Sequence, residues 1–192
     1  MPRLICFIYT QTNGLHHSND IVTKKNMFEF ARPVSLHYII GYRQGNEFNE
    51  IKKEQFIFKP DCLTISKESI KIHKITLDKA EKKGIPPCDI MNTLKTDLKN
   101  VSVIVSHNLS FHIKALQVEC FRNCVNIEFG NHILIDTINF DHDLEYPKLK
   151  SLAKIVLKKD YSDKKQSYNL QIIKKCFLKL YDQYEKSILS KS

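Results

Sequence analysis

The sequence predicts an α/β domain, a mixed five-stranded sheet flanked by helices. Three observations predict it. Apolar runs at LICFIYT (4–10), VSVIVSH (101–107) and HILIDT (132–137) have the length of buried strands. Two further strand-like segments, 34–41 and about 50–58, flank a Gln44-Gly45-Asn46 turn and read as a hairpin. Helical patterns separate the later strands, as crossovers to parallel neighbours require.

The elements follow in order. Leu4–Thr10 is a buried central strand ending before the Asn13-Gly14 turn. Residues 16–30 are polar and aperiodic, and read as a loop. In the next strand Val34, Leu36, Tyr38 and Ile40 alternate, so one face is buried. Its partner ends at Pro60. Residues 65–76 form a connector with a short helical turn, and Thr76 opens a short helix that closes at Gly84. Pro86-Pro87 starts a helix over about 87–99, with Ile90, Leu94 and Leu98 on one face. After the 101–107 strand, Ser110 is placed as the cap of a helix from 111 to about 122. A strand over 132–137, an amphipathic helix over 147–157 and a last helix over about 166–188 complete the chain.

The 192 residues suit one domain, 1–185, with a short polar tail at 186–192. Hydrophobic residues make up 42%, with eleven Phe and eight Tyr, which excludes global disorder. No run of 18 apolar residues is present, so no membrane partner is expected. The first residues lack the length and cleavage site of a signal peptide. The expected setting is intracellular, cytoplasmic or nucleoid/nuclear. The six cysteines are scattered and read as free thiols in a reducing compartment. Cys120 and Cys124 could share a helical face, with His107 and His112 upstream, which makes a zinc site conceivable. His16, His17 and His112 form a second conceivable set. No metal is expected at either.

The net charge of +9 is concentrated in residues 148–192, where twelve lysines meet four carboxylates. This suggests a polyanionic partner, most simply nucleic acid. A solubilising lysine-rich helical surface explains it equally well. The absence of arginine from that segment argues against base-specific reading, for which arginine is the usual side chain.

Several segments, in order and at suitable intervals, resemble the DEDDh 3′–5′ exonucleases, which include the polymerase III epsilon proofreading subunit and ribonuclease T. The resemblance covers roughly residues 4–181. FIYTQTNGL (7–15) resembles the family's Asp-x-Glu-Thr-x-Gly-Leu motif, and VIVSHNLSFHIKAL (103–116) its His-Asn-x-x-Phe-Asp motif. VSLHYIIG (34–41), FIFKPD with IHKIT, LIDT (134–137) and YPKLKSLAKIVL (146–157) resemble framework segments. The resemblance implies an RNase H-like exonuclease fold. The family's chemistry needs four carboxylates holding two divalent metals roughly 4 Å apart, and a histidine as general base.

Every matching position is changed. Tyr9 and Gln11 stand for the first-motif Asp and Glu, and His112 for the second-motif Asp. The third motif, His-x4-Asp, falls on Lys164 and Asn169, or on Gln166 and Gln171 in a register shifted by two. Neutral amides bind hard divalent cations poorly beside carboxylates. The expectation is therefore an inactive, pseudo-enzyme exonuclease domain, without the family's two metals, that binds single-stranded or 3′-terminal nucleic acid or a protein partner. The alternatives are a divergent but active metal-dependent exonuclease and a pure protein-interaction scaffold. Candidate nucleic-acid contacts are Thr10, Thr12, Leu15, His107, Asn108, Phe111, Lys164 and Lys165. Scaffolding roles compete with these: Gly14 for the turn, Phe111 for the core, Asn108 for local hydrogen bonding. Asp136 and Glu119 are the nearest remaining carboxylates, and neither has the first-strand position that bridges both metals.

Overall fold

The computed structural model of the protein describes residues 2–140, 147–158 and 167–189. The chain opens with β1 (Leu4–Thr12), then a hairpin of β2 (Pro33–Gln44) and β3 (Glu47–Ile57). Helices α1 (Lys67–His73), α2 (Leu77–Lys83) and α3 (Pro87–Leu98) follow. Then come β4 (Val101–Ser106), α4 (Leu109–Arg122) and β5 (Ile133–Asp136). The chain continues through α5 (Leu149–Leu157), α6 (Ser167–Lys179) and α7 (Tyr181–Leu189). The strands form one sheet in the order β3-β2-β1-β4-β5. β2 is antiparallel to β1 and β3, and β4 is parallel to β1 and β5. This is the mixed five-stranded sheet expected from the sequence. Gly45 takes φ +60° at the hairpin turn, a conformation that glycine adopts at little cost.

The pleat divides β1 between two cores. Cys6 and Ile8 face α3 and α4, packing with Leu36, Tyr38, Ile104, Leu94 and Leu116. Ile5 and Phe7 face α6, packing with Ile39, Val103, Ile173 and Phe177. Phe7 meets Phe177 edge-on, with ring centroids 5.4 Å apart. Burying one such side chain contributes about 2 kcal/mol. The same alternation sends Tyr9 and Gln11 to the α6 face, and Thr10 and Thr12 to the α4 face.

Three local expectations are corrected. Helix α4 begins at Leu109, with Asn108 as its cap at φ 62°, and Ser110 lies inside the first turn. The start is set from across the sheet: the Asp136 carboxylate accepts the N–H of Asn108 at 2.8 Å and of Leu109 at 2.7 Å. The last helix is two. Leu180 donates its N–H to the Cys176 and Phe177 carbonyls, and the chain turns so that Tyr181 and Tyr184 both pack on the Phe177 ring. α7 then runs to Leu189, past residue 185. Finally, the turn does not need a glycine at 14, because a Cβ there meets nothing within 4 Å.

Candidate functional site

A cleft of about 1960 Å³ opens at the carboxyl ends of the parallel neighbours β1 and β4. Chain reversals diverge there, leaving a crevice. The end of β1 supplies the floor. The walls come from the turn into α4, the region around α1, the start of α5 and Asn169 of α6.

Three of the positions matched to the family's acids meet in this cleft. The Asn169 amide donates to the Tyr9 hydroxyl at 3.0 Å, and the Tyr9 ring lies 4.7 Å from the His112 ring. His112 is buried, with both ring nitrogens engaged by protein. Nδ1 accepts from the Thr10 backbone N–H at 3.1 Å and lies 2.8 Å from the Thr10 hydroxyl. A backbone amide can only donate, so the ring proton sits on Nε2, which donates to the His107 carbonyl at 3.2 Å. Burial holds the imidazole neutral, pushing its pKa down to about 3. Gln11 lines the cleft but is only 5% exposed, and among the described residues its buried Oε1 has no hydrogen-bond partner. Asn169 lines the cleft, whereas Gln171, from the shifted register, does not. Lys164, Lys165 and Gln166 lie outside the described residues.

The other candidate contacts divide by exposure. Thr10 and Thr12 are buried, the first bonded to His112 and the second donating to the Gly14 carbonyl at 2.7 Å. His107 is buried as well: Nε2 donates to the Pro147 carbonyl at 2.8 Å, and Nδ1 lies 3.1 Å from the Thr137 hydroxyl. Burial lowers its pKa. Leu15 and Asn108 are exposed, and Phe111 is half-buried against the His16 ring at 4.3 Å.

The conceivable zinc sets are not assembled. Cys124 lies beyond the end of α4 at φ 53°, off the helical face that holds Cys120. Burial pushes the Cys120 thiol up to about 12, away from the thiolate a metal needs. His16 accepts the Ala31 N–H on Nδ1 and donates from Nε2 to the Phe111 carbonyl. The two carboxylates considered as replacements serve the scaffold. Glu119 pairs with Arg32 at 2.6 Å and accepts from Asn123, while Asp136 caps α4.

Sequence reasoning missed several residues of the rim. Lys71, Lys74, Lys148 and Lys150 are exposed and line the cleft, against one carboxylate among the described lining residues, Glu68. Phe28 (75% exposed) and Ile72 (74%) join Leu15 (76%) as uncovered apolar side chains there. Exposed apolar residues in an aperiodic loop and a short helix leave no periodic signature. Lys148 and Lys150 contribute to the charge excess of the last quarter, but only the fold brings them to β1.

No family model matches the chain, and no curated protein matches it in sequence. Solved structures match it in fold. A product-bound exonuclease I superposes with a TM-score of 0.73 at 14% identity, over 98% of this chain and 45% of the other. E. coli exonuclease I in complex with a dT13 oligonucleotide gives 0.72 at 15% identity, over 96% and 42%. A moderately thermophilic exonuclease I from Methylocaldum szegediense gives 0.70 at 14% identity, over 97% and 42%. The domain has the RNase H-like fold of these enzymes. It spans less than half the length of the chains it matches. Among its described residues, no helix is long and apolar enough to cross a membrane.

Proposed function

We propose that this domain is a degenerate DEDDh exonuclease that holds single-stranded nucleic acid in its cleft without cutting it. One observation carries the reading. Tyr9, His112 and Asn169, the positions that the sequence resemblance matches to metal-binding acids, form a neutral, interlocked group. That donor set does not fit two hard divalent cations, which take carboxylate oxygens. His112 has no free ring nitrogen, Asn169 already donates to Tyr9, and Gln11 brings no charge.

The same changes suit retention of a strand. With the acids gone, phosphates meet little repulsion in the cleft. Lys71, Lys74, Lys148 and Lys150 ring its mouth. Leu15, Phe28 and Ile72 offer flat or wedge-like apolar surfaces for unpaired bases. The neighbouring structures include exonuclease I with a dT13 oligonucleotide, which supports the same substrate class. An intracellular setting goes with it.

The test is anisotropy of a labelled single-stranded oligonucleotide at rising salt, with its integrity followed on a gel in Mg²⁺ or Mn²⁺. The expected result is salt-sensitive binding with an intact strand. Chelator-sensitive degradation would establish instead the divergent active nuclease. Absence of binding at low salt would shift the function to a protein partner docking on the exposed apolar rim.

A further inference from the structure

Two helices begin at the cleft and lead away from it. Lys148, Leu149 and Lys150 at the start of α5 line the cleft, and so does Asn169 near the start of α6. From there α6 runs down the sheet to Phe177, which packs on Phe7. α5 lies against α6 through Leu152, Ala153, Ile172 and Cys176. The remaining face of each helix is turned outward. Residues 148–158 and 167–179 hold seven lysines and no carboxylate. Six of the seven are exposed: Lys148, Lys150, Lys154, Lys158, Lys175 and Lys179. The seventh, Lys174, pairs with Glu50. A merely solubilising helix mixes its charges, as α2 does with Asp78 beside Lys82. Single-sign faces act on charged partners instead.

The spacing turns these lysines into rows. Lys150 and Lys154 stand one turn apart on the solvent side of α5, and Lys158 caps its end. Lys148 to Lys158 covers about 15 Å of chain along the axis, the length of several nucleotides. On α6, Tyr168, Lys175 and Lys179 share one face by the same periodicity. Tyr168 and Ile155, each 50% exposed, are uncovered apolar side chains on this surface.

We propose that the outward face of α5 and α6 is a track for the length of single strand that lies outside the cleft. This rests on the reading of the domain as a single-strand binder and adds the path of the strand beyond its mouth. Lysine suits such a track. Its ammonium is a compact point charge that neutralises phosphates without the fixed fork by which arginine reads a base. Tyr168 supplies a ring on which any base can stack. The track therefore holds a strand by its backbone, whatever its sequence.

The test uses the full chain and two labelled single strands, one of about four nucleotides and one of about sixteen. The long strand should bind more tightly and with the steeper salt dependence. Lys154→Gln with Lys158→Gln should reduce its slope of log affinity against log salt by about 1.4 and leave the short strand unaffected. Lys175→Gln with Lys179→Gln should do the same. Tyr168→Ala should weaken the long strand by about tenfold with its slope unchanged. The same charge removed across the sheet, by Lys95→Gln with Lys99→Gln at the end of α3, should alter neither strand. Equal affinity and slope for the two lengths would overturn the track and leave binding in the cleft standing. An equal loss in the α3 variant would also overturn it, since net charge and not position would then govern. A chain that binds neither strand at low salt would overturn both readings.

Discussion

His112 holds Thr10 by two groups at once, with its Nδ1 3.1 Å from the Thr10 amide nitrogen and 2.8 Å from the Thr10 hydroxyl. The contact ties the end of β1 to the first turns of α4 across 102 positions of sequence. At the position that the sequence resemblance matches to a metal-binding acid, this chain has a structural link.

Removing that link should destabilise the fold. His112→Ala leaves the buried Thr10 N–H without an acceptor and opens a cavity at the junction of β1 and α4. The expected loss is about 2–4 kcal/mol, read from the urea midpoint. An unchanged midpoint would show that the bridge contributes nothing.

Acid should weaken the protein through the same residue. Burial pushes the pKa of His112 down to about 3 and that of His37 down to about 4, from an ordinary value of 6.5. Between the ordinary value and these folded values the unfolded chain binds more protons than the native one. Stability is therefore complete above about pH 6.5 and falls as the pH drops, on the order of 1 kcal/mol per pH unit for each histidine. Urea midpoints from neutral pH to about pH 4 should trace this slope, and His37→Phe should make it shallower.

Asp136 should matter for stability through the start of α4. Its carboxylate accepts three backbone N–H groups, from Asn108, Leu109 and Ile138. Asp136→Ala should cost about 2 kcal/mol and speed hydrogen exchange at the start of α4. If the variant were as stable as the parent, the helix start would have to be fixed by other contacts.

The rim lysines should set the salt dependence. Each cation that neutralises a phosphate of a single strand contributes about 0.7 to the slope of log affinity against log salt. Lys148→Gln with Lys150→Gln should reduce the slope by about 1.4, with no effect on the urea midpoint. An unaltered slope would remove the start of α5 from the path of the strand.

The sequence by itself determined the strands, the hairpin, most helices and, through their order, the mixed sheet. These follow from local patterns: apolar runs, period-two alternation in 34–41, and helical periodicity around Ile90 and Leu94. It also carried the absence of acids at Tyr9, Gln11 and His112, because each motif is contiguous in the chain. The tertiary structure alone decided what those positions do. Tyr9 meets Asn169 across 160 positions, and Asp136 caps a helix that begins 27 positions earlier. Such partners lie outside any local window, so Ser110, two residues past the cap Asn108, reads locally as the cap itself. The lysine-lined rim arises in the same way, when folding brings α1 and the start of α5 to the end of β1. Strand register, which only pairing can set, placed Gln11, Ser35 and His37 side by side on one face.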